Sequence, residues 1–266
     1  MSSSSRLQCI LAEAGVDSRR HCASIIAGGA VTVDGTIVRE PGFRVEHPET
    51  ADIRVSGKPI RVAAGGEKSF RTILLNKPRG LACTKDDSFG PTVYDLLKGV
   101  KERVVSAGRL DKDSDGLLVL SNDGNLVNEL THPRFNHTKS YRVQTAGLFD
   151  DETLRTLQAP MTLEDGYVAK PVRVEYLERL KDGPLGPRHR LLFTLREGRN
   201  RQIRQMCEQV GLRIESLTRV SINRLHLPTD LKSGAWRDVT EKEMALLRTI
   251  DTKPLRPWRP GPTENR

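Results

Sequence analysis

Four cysteines in 266 residues, Cys9, Cys22, Cys83 and Cys207, are scattered, and none forms a C-x-x-C pair. That removes the spacing from which zinc sites are read, and it offers no disulfide framework. The start, Met1-Ser2-Ser3-Ser4-Ser5-Arg6, carries no apolar leader, so a reducing, cytoplasmic setting is expected. No apolar run approaches the roughly 20 residues of a membrane helix, so no membrane partner is expected. Aromatic residues make up only 5% of the chain, which argues against gripping single strands mainly by aromatic stacking. Metal-ligand spacings and glycine-rich phosphate loops are missing too, so neither a metal nor a cofactor is expected.

What the chain has is positive charge. It carries 43 Lys and Arg against 34 Asp and Glu, a formal net charge of +9. That balance favours a polyanion such as nucleic acid. The length suits one small and one larger domain, with ample chain to bury a core.

At the N-terminus, Leu7, Ile10, Leu11 and Ala14 share one helical face that ends at Gly15. Asp17 or Ser18 can cap a second helix running through Ile25-Ile26-Ala27 to Gly28-Gly29. Asp34-Gly35 between β-branched runs is a hairpin signal, and a second turn follows at Ser56-Gly57. Arg19, Arg20 and His21 open the second helix against its dipole, a conflict that a nearby phosphate would remove. Residues 61–70, including Ala63-Ala64-Gly65-Gly66, lack periodicity and read as a linker.

The larger part is organised around Gly108-Arg109-Leu110-Asp111-Lys112-Asp113-Ser114-Asp115-Gly116, followed by the apolar run Leu117-Leu118-Val119-Leu120. The run reads as a buried strand and the charged stretch as a loop fixed to it. Asp111, Asp113 and Asp115 open like a calcium loop, but the twelfth position is Asn122 rather than Glu, and a strand rather than a helix follows. Earlier, Thr72 to Leu75 form a strand broken by Asn76-Lys77-Pro78-Arg79-Gly80, and Lys77 and Pro78 are read as shaping the floor near the charged loop. Lys139-Ser140-Tyr141 starts another strand, and Lys181 to Pro187 reads as a turn-rich loop. In Glu197-Gly198-Arg199-Asn200-Arg201-Gln202-Ile203-Arg204-Gln205-Met206-Cys207, the stripe Ile203, Met206, Cys207 and Val210 is core, while Arg199, Arg201 and Arg204 crowd the first turns of a helix. The end, from Asp251, is rich in Pro and Arg and is expected to be disordered.

Three of these segments, GRLDKDSDGLLVLSNDG, KSY and EGRNRQIR, resemble the successive motifs of the pseudouridine synthases. AEAGVDSRRHCASII with VTVDGTIV resembles the S4 RNA-binding domain. Together they place the chain near the ribosomal RNA branch, the RsuA/RluB/RluF-like group. The resemblance implies an α+β chain: an S4-like domain at 1–62, a linker at 63–70, a mixed, mainly antiparallel catalytic sheet at 71–250, and a tail at 251–266. It implies the isomerisation of a uridine to pseudouridine in ribosomal RNA or a pre-ribosomal particle, without metal or cofactor; a monomer is assumed. RNRQIRQMCE leans toward the large-subunit members.

The same resemblance makes Asp111 the catalytic carboxylate and Tyr141 the ring that packs on the target base. It makes Arg204 the guanidinium that keeps Asp111 ionised and aimed, and Leu217 the aliphatic residue beneath the base. Lys139 is suited to a phosphate or a nearby acid. Arg109, Arg199 and Arg201 are expected on phosphates, with Arg19, Arg20 and His21 on RNA bound by the S4-like part. A non-catalytic RNA-binding factor on the same scaffold would be expected to lack Asp111, Tyr141 or Arg204, and all three are present.

Overall fold

The computed structural model describes residues 4–60 and 70–259. The linker expected at 63–70 lies, but for Phe70, outside them. The chain divides into two compact units, Met1–Ser69 and Phe70–Arg266.

In the first unit, α1 (Leu7–Glu13) and α2 (Arg19–Ala27) pack on a small sheet. The sheet is built from β1 (Val31–Val33), β2 (Thr36–Val38), β3 (Ile53–Val55) and β4 (Lys58–Pro59), in the order β2-β1-β3-β4. Ser18 is the cap, its Oγ accepting from the His21 N–H at 3.1 Å. Asp34-Gly35 and Ser56-Gly57 all have positive φ, as the tight hairpin turns require. Leu7, Leu11, Cys22, Ile26, Val31 and Ile53 fill the core between helices and sheet.

The second unit is a nine-stranded sheet with helices. Its main strands are β5 (Thr72–Lys77), β6 (Asp115–Ser121), β7 (Lys139–Ala146), β8 (Arg173–Gly183), β9 (Gly186–Leu195), β10 (Arg213–Ile222) and β11 (Trp236–Asp238). Their order is β8-β9-β7-β10-β6-β5-β11, with Leu225–His226 and Val105–Ser106 paired alongside. Every pairing along that path is antiparallel except β10 with β6. There Thr218 faces Asp115 and Arg219 faces Gly116. A Cβ on Gly116 would sit 2.3 Å from the Arg219 carbonyl oxygen, and φ is +103°. Only glycine lets the charged loop enter its strand this close to β10.

The helices are α3 (Gly124–Thr131), α4 (Asp151–Gln158), α5 (Gln202–Gln209) and α6 (Glu241–Arg248). Leu154, Leu157, Ile203, Met206 and Cys207 pack with Val143, Phe193 and Leu217, as the stripe on α5 predicts. Two expectations need correction. Lys181 to Pro187 is not a free loop: β8 runs to Gly183 and β9 resumes at Gly186, so the glycines close a long hairpin. Arg199 and Arg201 precede α5, and Arg201 is its left-handed N-cap (φ +51°); only Arg204 lies in the helix. Residues 251–259 begin the tail. They have no helix or strand; Trp258 packs on the core and hydrogen-bonds Gln158 through its N–H (2.5 Å) and its carbonyl (3.1 Å). The apolar indole surface outweighs the local Pro and Arg composition.

Candidate active site

The loop from Gly108 to Asp115 is pinned from below by Lys77, at the end of β5. Its side chain is fully buried, and the ammonium donates to the carbonyls of Ser114 (2.7 Å), Asp111 (3.0 Å) and Pro78 (3.2 Å). Burial lowers this group's proton affinity, and the Cys83 thiol and the nearby Asp115, Asp111 and Asp113 push the other way. Gly80 donates to the Lys112 carbonyl at 2.6 Å, and Arg79 Nε to that of Asp113 at 3.1 Å. The motif after β5 therefore holds the loop through its backbone and leaves the carboxylates free to face outward. This agrees with the structural role read for Lys77 and Pro78.

Above the loop stand Arg201 and Arg204. Arg204 makes its close contacts with Asp113 (Nη2 to Oδ2, 3.1 Å), Ser114 Oγ (3.2 Å) and the Asp113 carbonyl (3.3 Å). Its Nε lies 3.9 Å from Asp111 Oδ2 and is buried without a hydrogen-bond partner. Arg201 reaches both carboxylates, at 3.9 Å to Asp111 and 3.5 Å to Asp113. The resemblance pairs Arg204 with Asp111; in this structure Arg204 is bonded to Asp113 and only approaches Asp111. Catalytic contacts of this length are common before substrate binds. Burial lowers the proton affinity of Arg204, and the Asp113 carboxylate offsets only part of that.

Arg109, Asp111, Tyr141, Arg199, Arg201 and Leu217 line one cleft of about 100 Å³, together with Leu110, Ser114, Leu195 and Ile203. Strand register explains the grouping. Tyr141 faces Phe193 on β9 and Arg219 on β10, and the next same-face pair is Val143 with Leu217. Lys139 and Arg204 do not line the cleft. Lys139 shares the face of Tyr141, opposite Leu195, and among the described residues no acid lies in ion-pair contact with it. Its ammonium is pushed down to about 8, by burial first and by Arg219 second. Arg219 is buried (1% exposed), and its Nε donates to the Leu117 carbonyl at 2.7 Å. A larger cavity of about 360 Å³, lined by Lys170, Val172, Arg196 and Leu255, shares Leu195 with the cleft but none of its carboxylates. In the first unit Arg19, Arg20 and His21 are exposed at the start of α2, and His21 lies 3.3 Å from Asp17.

Sequence reasoning passed over several groups here. Asp113 sits inside the motif, and only the distances give it Arg204. Glu197 and Gln202 also lie within a recognised stretch, where their bond to each other, and that of Glu197 with Tyr167, could not be read. Tyr167 itself carried no local signal.

The family model described as RNA pseudouridylate synthase matches residues 71–209, and that of the S4 domain matches residues 5–50. The ribosomal large subunit pseudouridine synthase B of Escherichia coli (strain K12) is 38% identical over 93% of this chain and 83% of its own length. Its Yersinia pestis counterpart is 37% identical over 92% of this chain and 76% of its own. A Bacillus subtilis (strain 168) protein named as an RNA pseudouridine synthase is 33% identical over 91% and 98%. A solved pseudouridylate synthase superposes with a TM-score of 0.64 at 26% identity, covering 91% of this chain and 99% of that one. By family model, by sequence and by fold, this chain belongs to the pseudouridine synthases, with an S4 domain at its N-terminus.

Proposed function

We propose that the chain converts a specific uridine of large-subunit ribosomal RNA to pseudouridine, with Asp111 as the catalytic carboxylate. The observation that carries this is the convergence of Asp111, Tyr141 and Leu217 on one cleft rimmed by Arg109, Arg199 and Arg201. The substrate class is favoured by relatives named as large-subunit synthases.

In the reaction the N1–C1′ bond breaks, the uracil turns, and C5 joins C1′. C5 loses a proton and N1 gains one, so the composition of the RNA is unchanged. Asp111 either attacks the sugar or the ring, or removes a sugar proton to assist elimination. Arg201 and Arg204 supply fixed positive charge beside it, in a geometry held by Lys77 through the loop backbone. Tyr141 and Leu217 would hold the base on its two sides. A stacked uridine costs about a few kcal/mol to extrude, and arginine–phosphate contacts at the rim offset that. Arg19, Arg20 and His21 on α2 would make a separate contact with folded RNA.

Lys139 gives a pH test. Its folded value of about 8 lies below the usual 10.5. Between these the unfolded chain holds a proton that the folded chain lacks, so folding stability rises with pH through that window. Contact with an RNA phosphate needs the charged form and changes in the opposite sense. RNA affinity should fall as pH rises through about 8, and Lys139→Arg should flatten that profile. A wild-type profile already flat there would remove Lys139 from the binding surface.

The direct test maps pseudouridine in ribosomal RNA from cells lacking the protein. Loss of one large-subunit site, restored by the wild-type chain, is expected. Loss of a small-subunit site would overturn the substrate, and no loss at all would favour a binding role.

A further inference from the structure

Arg199 stands on the rim of the cleft with its planar group already parked. Its Cζ lies 3.6 Å from the centre of the Tyr167 ring, a height at which guanidinium and ring are in stacking contact. Tyr167 is itself tethered: its hydroxyl donates to Glu197 Oε2 at 2.9 Å. Glu197 Oε1 accepts from Gln202 Nε2 and from the Lys170 N–H, each at 2.9 Å. Gln202 is buried, and its Oε1 accepts the Arg199 N–H at 3.2 Å. Ring and arginine therefore hang from the same carboxylate–amide pair.

The neighbouring Arg201 is held differently. It turns to the carboxylates of Asp111 and Asp113, whereas a ring holds Arg199. Arg199 is exposed, and it shares the cleft with Tyr141. A guanidinium backed by an aromatic ring has lost most of its rotamer freedom before any ligand arrives. Its faces are weakly hydrated and suited to a flat partner. RNA readers use such arginine planes to stack unpaired bases. This also resolves the scarcity of aromatics, because a planar cation does the stacking an aromatic would do.

We propose that Arg199, backed by Tyr167, is a stacking platform for a second nucleobase, that of a nucleotide flanking the target uridine. The identity of that nucleotide rests on the proposed uridine isomerisation; the stacking does not. Tyr167 is a positioning residue, acting through Arg199.

The probe is a single-stranded oligouridine carrying one 2-aminopurine, whose fluorescence is quenched when it stacks. It is titrated against the full-length protein at several salt concentrations. Quenching on binding to wild type is expected. Arg199→Lys keeps the charge but not the plane, and should lose most of the quenching and about tenfold in affinity, with the salt slope unchanged. Tyr167→Leu should do the same, and Tyr167→Phe should keep most of the quenching. Arg199 is exposed, so its arm of the test survives even if a Tyr167 variant folds poorly. Undiminished quenching in Arg199→Lys, or Arg199→Gln lowering the salt slope by about one with no other change, would leave only a phosphate contact and overturn the platform. The readout needs no turnover. A chain that binds and quenches but modifies no uridine loses the proposed function alone, and one that modifies RNA without quenching loses this inference alone.

Discussion

Asp111→Asn is expected to lower kcat/KM for pseudouridine formation by more than about a thousandfold while leaving the fold intact. The amide fills the same space but can neither attack carbon nor take a proton, so every mechanism open to Asp111 fails together. Stability should barely move. The Asp111 side chain is 35% exposed and its two arginine contacts are each at 3.9 Å. Contacts this long, one of them to the exposed Arg201, contribute about 1 kcal/mol or less, and Arg204 keeps Asp113, so the thermal midpoint should stay within a few degrees. RNA affinity should hold or rise, because a negative charge leaves a cleft that receives phosphates. The informative partner is Asp113→Asn. Asp113 carries the closer arginine contact, 3.1 Å to Arg204, and should cost stability and only part of the activity. If Asp113→Asn were the dead enzyme and Asp111→Asn the active one, the catalytic carboxylate would have been misassigned.

Lys77→Met should be the most damaging single change outside the cleft. Methionine matches the aliphatic stem, so little cavity is created. What disappears is the ammonium that serves the carbonyls of Ser114, Asp111 and Pro78, all within 3.2 Å. A buried carbonyl left without a donor, as at Ser114, costs about 1–3 kcal/mol and the part-buried ones at Asp111 and Pro78 less, so a loss of about 3 kcal/mol is expected. For a unit of this size that lowers the thermal midpoint by roughly 10 °C. Activity should fall even well below the new midpoint, because the loop that aims Asp111 has lost its floor. Melting curves and turnover measured on the same preparation separate the two effects. A Met variant that melts with the wild type would mean that water replaces the ammonium, and that the loop is held by its other bonds.

These predictions draw unequally on sequence and structure. The S4-like part was legible because each element is local: Asp-Gly and Ser-Gly turns, a serine cap and short apolar faces all act within a few residues. The motifs of Asp111 and Tyr141 were legible because they are continuous, and the fold brings both residues, with Leu217, to one cleft. Reading Lys181 to Pro187 as a loop failed because Gly and Pro composition does not show that flanking strands extend into a hairpin. Composition likewise did not show that Trp258 meets Gln158, a hundred residues away.

By itself the sequence determined the order of elements, the family resemblance, the positive charge and the motif that carries Asp111. Those are properties of consecutive residues, whose periodicity and turn chemistry are decided by near neighbours. Tertiary structure alone decided which arginine holds which aspartate, that Lys77 braces the loop through its carbonyls, and that Tyr167 parks Arg199. Each of those joins residues more than 30 positions apart. Their distances come from strand register and from the close β6–β10 junction at Gly116, a geometry that no local pattern encodes.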